Sequence, residues 1–282
     1  MTDSTDLSKQ FAGQYAVVTG GTQGMGEAVA RLFAARGAAG LVICGRNRKK
    51  GDAVAGSLTK AGCKTHYVEA DLAKVEDCRN VIATADKAFG KLHVLANCAG
   101  YTDRGTILDT SPELFDQMFG VNVRAPFFLM QDAIKIMRRE GIAGAIVNLI
   151  TMSSYGGQPF ITAYCASKGA LVTLTRNVAF AVMRERIRVN GINVGWSDTP
   201  GEDRVMKVYH GAKDGWLAEA EKKQPFGRLI KPAEVARAIA FLASSEAGLM
   251  SGAIVDYDQS VRGAYESPPA PPEHIPETRA AE

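Results

Sequence analysis

The chain has 282 residues, of which 46% are apolar and 22% charged, and these proportions are typical of a globular protein. The net charge of +3 is not gathered into a basic run between aromatic residues, and no apolar run approaches the roughly 20 residues of a membrane-spanning helix, so the sequence predicts neither a nucleic-acid nor a membrane partner. The five cysteines are odd in number and form no CxxC pair, which argues against a disulfide framework and against a metal site.

Short runs rich in valine and isoleucine alternate with longer stretches of helical period. Strands are predicted near Tyr15–Thr19, Leu41–Cys44, Lys64–Glu69, Leu92–Ala96, Ala145–Ile150, Ile187–Ile192 and Ala253–Asp256. Helices are predicted at about Gly24–Ala35, Asn47–Ala61, Lys74–Phe89, Ser111–Arg139, Ala163–Arg184 and Pro232–Ala243. This alternation predicts an α/β fold, a doubly wound three-layer sandwich with a mostly parallel seven-stranded sheet.

Three segments lie outside this alternation. Residues 1–12 form a polar leader without the apolar core of a secretory signal, so we expect a cytoplasmic protein with a single domain at 13–263. Residues 199–224 form a polar insertion that is too long for a tight connection, and we expect it to act as a lid. The proline-rich tail at 264–282 cannot sustain a helix or a central strand, and we expect it to be mobile.

A glycine-rich turn follows the first predicted strand. Residues 19–26 read TGGTQGMG, and an amphipathic helix begins at once. Glycines let the backbone approach a pyrophosphate, while the free amides at the helix start favour its negative charge. The turn therefore predicts a dinucleotide site of the kind found in the Rossmann fold.

This turn resembles the TGxxxGxG motif of the short-chain dehydrogenase/reductase family, and the resemblance continues from Tyr15 to Gly263. It implies an NAD(P)(H)-dependent oxidoreductase that acts on CH–OH groups. Residues 97–100 read NCAG where the family usually has NNAG, and Val194 stands where a proline is usual. The cofactor-binding residues implied by the resemblance are Gly20, Thr22, Gln23, Gly24, Met25, Gly26, Asp71, Leu72, Asn97, Ala99, Gly100, Tyr164, Lys168 and Thr199.

The choice between the two nicotinamide cofactors depends on the end of the second strand. Residues 44–46 read CGR and offer no carboxylate for the ribose hydroxyls. The guanidinium of Arg46 is a bidentate donor suited to a 2′-phosphate, although a solvated residue at the start of the next helix is the alternative interpretation. We therefore predict NADP(H) as the preferred cofactor, with NAD(H) as the alternative.

Tyr164 and Lys168 lie four residues apart at the start of a predicted helix, so both side chains face the same way. A phenol titrates near 10, and it must be brought down by several units to act as an acid or base at neutral pH. A nearby ammonium and an oxidised nicotinamide ring both favour the phenolate. In the family this tyrosine is the proton donor and acceptor, and the lysine also holds the nicotinamide ribose.

Two further positions complete the predicted catalytic group. The family usually has a serine thirteen residues before the tyrosine, and this position holds Thr151, which keeps the hydroxyl. Ser153 points to the same side of an extended chain and is the alternative. Asn122 matches the family asparagine that holds a water on the proton relay from Lys168.

The substrate is less well defined by the sequence. Ser153, Gln158 and Trp196 are predicted to contact it, and their mixed hydroxyl, amide and aromatic character favours a sugar or polyol, with a 3-oxoacyl thioester as the alternative. A dinucleotide-binding regulatory protein with little turnover, and an isomerase or dehydratase on the same fold, are the competing interpretations. By resemblance we expect a homodimer or homotetramer that pairs through the helices predicted at Ser111–Arg139 and Ala163–Arg184.

Overall fold

The computed structural model describes residues 6–263, so the proline-rich tail lies outside the described residues. Its seven strands form one sheet in the order β3-β2-β1-β4-β5-β6-β7, and every neighbouring pair is parallel. The strands are β1 Tyr15–Thr19, β2 Gly40–Gly45, β3 Lys64–Glu69, β4 Val94–Asn97, β5 Ala145–Thr151, β6 Arg188–Val194 and β7 Ile254–Tyr257. The prediction of a doubly wound α/β sandwich is confirmed.

Helices cover both faces of the sheet. They are α1 Gly24–Ala35, α2 Arg48–Lys60, α3 Val75–Phe89, α4 Pro112–Phe119, α5 Ala125–Arg139, α6 Thr162–Ala181, α7 Pro200–Tyr209, α8 Trp216–Lys222 and α9 Pro232–Ala243. Short 3-10 turns occur at Leu7–Lys9, Met152–Tyr155, Met183–Glu185 and Ser245–Ala247.

The two cores follow from the alternation of side chains along the strands. Val17 and Val18 of β1 are both fully buried, but Val17 packs toward α3 and α5 and Val18 toward α1 and α9. A parallel sheet that is buried on both faces explains why the strands read as continuous apolar runs. The carboxyl ends of these strands lie along one edge of the sheet. β1 lies between β2 and β4, and from this point successive strands are added first on one side and then on the other. Ligands of such sheets bind in the crevice at this point.

The helix predicted from Ser111 to Arg139 is divided in the structure. A π-helical segment, Gly120–Arg124, separates α4 from α5, and the Ala125 N–H donates to the Gly120 carbonyl five residues back. Pro126 follows and has no N–H, so the regular α-helical hydrogen bonding cannot continue through this point. The widened turn places Asn122, which is fully buried, against the loop after β4.

The other differences lie at the lid and the leader. The insertion predicted at 199–224 is largely helical, because it contains α7 and α8. The described part of the leader includes Phe11, which is fully buried and packs on Phe33 with ring centroids 4.4 Å apart. Packing of the domain therefore begins two residues before the predicted boundary at 13.

Candidate active site

The glycine-rich turn connects β1 to α1 at the carboxyl edge of the sheet. Gly20 and Gly24 have φ angles of 65° and 58°, which side chains rarely adopt. A β-carbon at Gly26 would overlap the Gly20 carbonyl oxygen, so the turn and the helix can approach this closely only with glycine. The result is a concave surface lined by backbone, and it fits a pyrophosphate. The predicted residues of this turn line the cleft at Gly20, Thr22, Gln23, Gly24, Met25 and Gly26.

Arg46 follows β2 and lines the same cleft with an exposed side chain. Lys50, one turn into α2, also lines it and donates a 2.8 Å hydrogen bond to the Gln23 side-chain carbonyl. Arg48 is instead paired with Glu69 at 2.9 Å. Arg46 and Lys50 therefore place two cations beside the glycine-rich turn.

The NCAG motif at residues 97–100, called the second motif below, has two functions in the structure. Ala99 and Gly100 line the cleft, and the Ala99 N–H donates to the Thr19 hydroxyl at 3.0 Å, which fixes the loop after β4 against β1. The side chain of Asn97, by contrast, does not line the cleft, and its contact with the cofactor stays a prediction. Its side chain alternates to the opposite face of β4 and donates a 2.9 Å hydrogen bond to Asn148 in the core.

Asp71 and Leu72 follow β3 and line the cleft as predicted. The Asp71 carboxylate accepts a hydrogen bond from the Ala73 N–H, and its own N–H donates to Asp77. These contacts fix the turn after β3, and they do not involve Leu72. The pair can therefore form one wall of an adenine pocket.

Tyr164 and Lys168 lie on the cleft face of α6, with the ammonium 5.9 Å from the phenol ring centroid. Lys168 is 3% exposed and donates a 3.0 Å hydrogen bond to the Leu149 carbonyl at the end of β5. Burial lowers its pKa to about 8, because an ammonium loses hydration away from water. A β-carbon at Gly100 would lie 3.5 Å from this ammonium, so the second motif directly faces it.

The pKa of Tyr164 differs in direction from the sequence expectation. Burial raises it to about 12, and this effect outweighs the hydrogen bond with Thr151 and the charge of Arg104, which both lower it. The cationic ring of an oxidised nicotinamide would oppose the effect of burial.

Thr151 and Ser153 are distinguished by their partners. Thr151 is the last residue of β5, and its hydroxyl lies close enough to the Tyr164 phenol to lower the pKa of that phenol. The same hydroxyl donates a 3.4 Å hydrogen bond to the Ser153 hydroxyl. Ser153 lies in the following 3-10 turn, where its hydroxyl donates a 2.7 Å hydrogen bond to the Gln158 side chain. Both line the cleft, but of the two it is Thr151 that lowers the pKa of the phenol.

Asn122 lies behind the cleft wall. Its amide donates to the Tyr101 carbonyl at 2.8 Å and to the Ser167 hydroxyl at 3.0 Å, and its oxygen accepts from the Tyr101 N–H at 2.8 Å. The side chain thus joins the π-helical segment, the loop after β4 and α6 in one contact. Its hydrogen bonds hold the loop that faces Lys168.

The lid lies over the far end of the cleft. Thr199 caps α7, because its hydroxyl accepts a hydrogen bond from the Glu202 N–H. Its methyl group lies about 4 Å from the position that a β-carbon on Gly24 would take, so the lid comes close to the glycine-rich turn. Trp196 stacks on Trp216 with centroids 6.1 Å apart, and its indole N–H donates to Glu202 at 2.7 Å. The predicted residues Gln158, Trp196 and Thr199 all line the cleft.

Several cleft residues were not predicted from the sequence. They are Tyr101, Arg104, Glu202, His210 and Asp258, which the loops after β4, β6 and β7 and the lid bring in. Arg104 comes four residues after the NCAG motif at 97–100, and this position in the sequence was the one indication that it lines the cleft. The signal for the Asn122 geometry was Pro126, a proline inside an apparently continuous helix.

These residues surround one cleft of about 1410 Å³, which runs from the glycine-rich turn past Tyr164 to the lid. This volume is large enough to hold a dinucleotide and a small substrate together. The glycine-rich turn, the two cations Arg46 and Lys50, and the wall at Asp71 and Leu72 fit the cofactor. In residues 6–263, no group of three or more histidine, cysteine, aspartate or glutamate side chains could hold a metal ion. No helix in this range is long and apolar enough to cross a membrane.

Comparisons with known proteins agree with this geometry. A family model of the short-chain dehydrogenases, described as enoyl-(acyl carrier protein) reductase, matches residues 20–260. The chain is 33% identical to cis-4-hydroxycyclohexanecarboxylate dehydrogenase of Sinomonas cyclohexanicum, over 89% of this chain and 98% of the relative. It is 29% identical to the NADP-dependent (R)-specific alcohol dehydrogenase of Lentilactobacillus kefiri, over 88% and 96%.

Solved structures show the same similarity. A short-chain type dehydrogenase/reductase from Mycobacterium marinum superposes with a TM-score of 0.80 at 26% identity, covering 90% of this chain and 97% of that one. The chain therefore belongs to the short-chain dehydrogenase/reductase family and is an NAD(P)-dependent oxidoreductase that acts on CH–OH groups.

Proposed function

We propose that the protein interconverts a secondary alcohol and a carbonyl compound, with NADP(H) as the preferred cofactor. The observation that carries this proposal is the convergence of Thr151, Tyr164 and Lys168 on one cleft that begins at a dinucleotide cradle. The alcohol loses a hydride from carbon and a proton from oxygen, and the reverse reaction returns both. The bound nicotinamide supplies the hydride acceptor or donor.

The residues of this chain handle the oxygen and its proton. In the direction of reduction, Tyr164 and Thr151 donate hydrogen bonds to the carbonyl oxygen, where negative charge develops as hydride reaches the carbon. Tyr164 then transfers its proton to that oxygen. Lys168 stabilises the resulting phenolate by its charge and binds the nicotinamide ribose, while Asn122 holds the adjoining loop in place.

The cofactor preference rests on charge. Arg46 and Lys50 lie beside the glycine-rich turn, and the strand end at Gly45 carries no carboxylate that would repel a 2′-phosphate. The relative from Lentilactobacillus kefiri is named as NADP-dependent, which supports the same preference here.

The substrate of this site is proposed only as a class. The relative from Sinomonas cyclohexanicum is named for a ring alcohol, and that supports a secondary alcohol on a compact carbon frame. A sugar or polyol, and the 3-oxoacyl thioester that is the alternative, stay predictions. Ser153 and Gln158 are hydrogen-bonded to each other and could both turn toward a hydroxylated substrate.

Assembly and location also belong to the proposal. We infer a homodimer or homotetramer in the cytoplasm, paired through α5 and α6. Phe127 and Phe180 support this pairing, because these large apolar side chains are 45% and 79% exposed on the two helices. Light scattering of the purified protein tests it, and a monomer at micromolar concentration would contradict it.

The first experiment measures binding of NADPH and NADH, then follows the reduced-nicotinamide absorbance over a panel of alcohols, ketones, aldoses and polyols. We expect turnover on some members of the panel and a loss of about 100-fold or more in Tyr164→Phe. Tight cofactor binding with no turnover on any substrate would instead favour the regulatory protein.

A pair of arginine variants tests the cofactor preference. Arg46→Gln is expected to weaken NADPH binding by about tenfold, because a charge-assisted contact is lost, with little change for NADH. Arg48→Gln is the matched control, since Arg48 is paired with Glu69 outside the cleft. Equal or better turnover of the native protein with NADH at matched concentrations would contradict the preference.

A further inference from the structure

Arg104 is a charged residue of the cleft that the proposed reaction does not use. It lies in the loop after β4, and it shares the cleft with Tyr164, Phe160 and His210. Its positive charge is close enough to Tyr164 to lower the pKa of the phenol. Arg104 therefore lies at the substrate end of the cleft, near the position of the reacting oxygen.

The Arg104 guanidinium is held in place by uncharged groups. Its central carbon lies 5.4 Å from the Phe160 ring centroid and 5.7 Å from the Tyr209 ring centroid. Its Nη2 lies 2.9 Å from the His210 Nε2 and donates a hydrogen bond to it. These contacts orient the planar cation without neutralising it.

No carboxylate within residues 6–263 forms a salt bridge with Arg104. Asp103 is adjacent, but its two oxygens accept the Arg104 backbone N–H and the Tyr101 phenol. Other arginines of the fold, such as Arg138 and Arg228, each have a carboxylate at 2.8 Å or less. No described residue accepts a hydrogen bond from the Arg104 Nη1 either, so part of the guanidinium edge is available to a ligand.

Arginine occurs at two positions among the described residues that line the cleft, Arg46 and Arg104. The first lies beside the cradle for the cofactor phosphates, and the second lies next to Tyr164. A partly enclosed guanidinium without a counter-charge is suited to a planar carboxylate. We propose that Arg104 binds a carboxylate carried by the substrate, at a distance from the carbon that exchanges hydride. This inference rests on the proposed function for the reacting end.

Glu202 determines in which orientation the substrate binds. Its carboxylate lines the same cleft and accepts the Trp196 indole N–H. An anionic group is repelled by Glu202 and attracted by Arg104, so the charged end binds on the Arg104 side. The neutral alcohol or carbonyl end is left to Thr151 and Tyr164.

The test compares two ketones of nearly the same shape, 4-oxocyclohexanecarboxylate and 4-oxocyclohexanecarboxamide, which differ in charge and in the replacement of one acceptor oxygen by an NH2 donor. Trp196 and Trp216 are the chain's two tryptophans, and Trp196 lines the cleft, so indole fluorescence reports binding to the NADP⁺-loaded protein without turnover. We expect the carboxylate to bind about tenfold more tightly than the carboxamide. Turnover of both ketones with NADPH is measured in parallel.

Three variants test whether Arg104 causes the preference for the carboxylate over the carboxamide. Arg104→Gln is expected to bring the ratio of the two affinities to about one, with the carboxamide affinity unchanged, and Arg104→Lys to restore part of it. Arg237→Gln removes an equal charge from the exposed side of α9 and should leave the ratio as in the native protein. Unchanged carboxamide binding shows that the cleft of the Arg104 variants is intact.

The outcomes separate this inference from the proposed function. Equal affinity of the native protein for both ketones, or a preference that survives in Arg104→Gln, would overturn the inference even if both are reduced. A carboxylate preference that depends on Arg104, with neither ketone reduced, would support the inference and count against the proposed reaction on this carbon frame.

Discussion

The Lys168 ammonium donates a 3.0 Å hydrogen bond to the Leu149 carbonyl oxygen, and this contact joins α6 to the end of β5. The lysine is almost completely buried, and no carboxylate within residues 6–263 forms a salt bridge with it. Burial lowers its pKa to about 8, so the fold holds a charged group at a cost in stability at neutral pH. Functional groups are often the ones that are kept at such a cost.

Replacing this lysine should therefore change how stability depends on pH. Between pH 8 and 10.5 the unfolded lysine still holds a proton that the folded one has lost, so the contribution of Lys168 to stability rises with pH in this window. Lys168→Met lacks this rise. We expect the variant to be the more stable at pH 7 and its advantage to shrink by about 3 kcal/mol toward pH 10.

Urea unfolding of the cofactor-free protein at pH 7, 8, 9 and 10 measures this difference. Tyr164 and the buried cysteines also titrate in the unfolded chain near the top of this range, but they are the same in both proteins, so their contributions cancel in the difference. A difference between the native protein and Lys168→Met that is constant across the four pH values would contradict the shift at Lys168.

The choice between Thr151 and Ser153 is decided by removing each hydroxyl. Thr151→Val keeps the shape but loses the hydroxyl that is paired with Tyr164, so kcat on the best substrate of the panel should fall by about 100-fold. Thr151→Ser should retain most of the activity. Ser153→Ala loses the hydrogen bond to Gln158 and the 3.4 Å hydrogen bond from the Thr151 hydroxyl, and it is expected to have a small effect on kcat because the Thr151 hydroxyl itself is kept. Full turnover in Thr151→Val with a loss in Ser153→Ala would reverse the assignment.

The parts of the site that were predicted from the sequence are those set by short-range geometry. A glycine-rich turn between a strand and a helix, and a tyrosine four residues before a lysine on one helix, carry their arrangement within a few residues. These predictions place Gly20, Gly26, Tyr164 and Lys168 on the cleft, and the structure brings them together there.

The parts that were missed depend on distant segments. Arg104 contacts Phe160 from the segment before α6 and Tyr209 and His210 from the lid, and because these segments are far from Arg104 in the sequence, no local pattern predicts the contacts. The direction of the Asn97 side chain was also not predicted, because successive residues of a strand face opposite sides and the position of the strand end decides which side chains reach the cleft.

A pair of glycines tests the cofactor cradle. Gly26→Ala places a methyl group against the Gly20 carbonyl, and because backbone must shift to admit it, NADPH binding should weaken by about tenfold. Gly56→Ala is the control, since Gly56 is exposed in α2 with nothing within 4 Å of the added carbon. It should instead stabilise the protein by about 0.5–1 kcal/mol without changing NADPH binding. Native NADPH affinity in Gly26→Ala would contradict the cradle.

The last prediction concerns the buried polar pair behind the second motif. Asn148 accepts the Asn97 amide at 2.9 Å and donates to the Thr175 hydroxyl at 2.9 Å, and all three residues are buried. Asn148→Leu leaves the Asn97 amide without its partner, so unfolding free energy should fall by about 2 kcal/mol. Asn80→Leu on the exposed side of α3 is the control and should change it little.

The double variant Asn97→Leu and Asn148→Leu separates the hydrogen bond from the volume change. If the loss in Asn148→Leu comes from the unpaired amide of Asn97, removing that amide as well should recover part of the stability, because two apolar side chains then face each other. Chemical denaturation of the native protein, both single variants and the double variant gives the coupling between the two positions. Additive losses would show instead that the leucine at 148 is simply too large for its place between Asn97 and Met130.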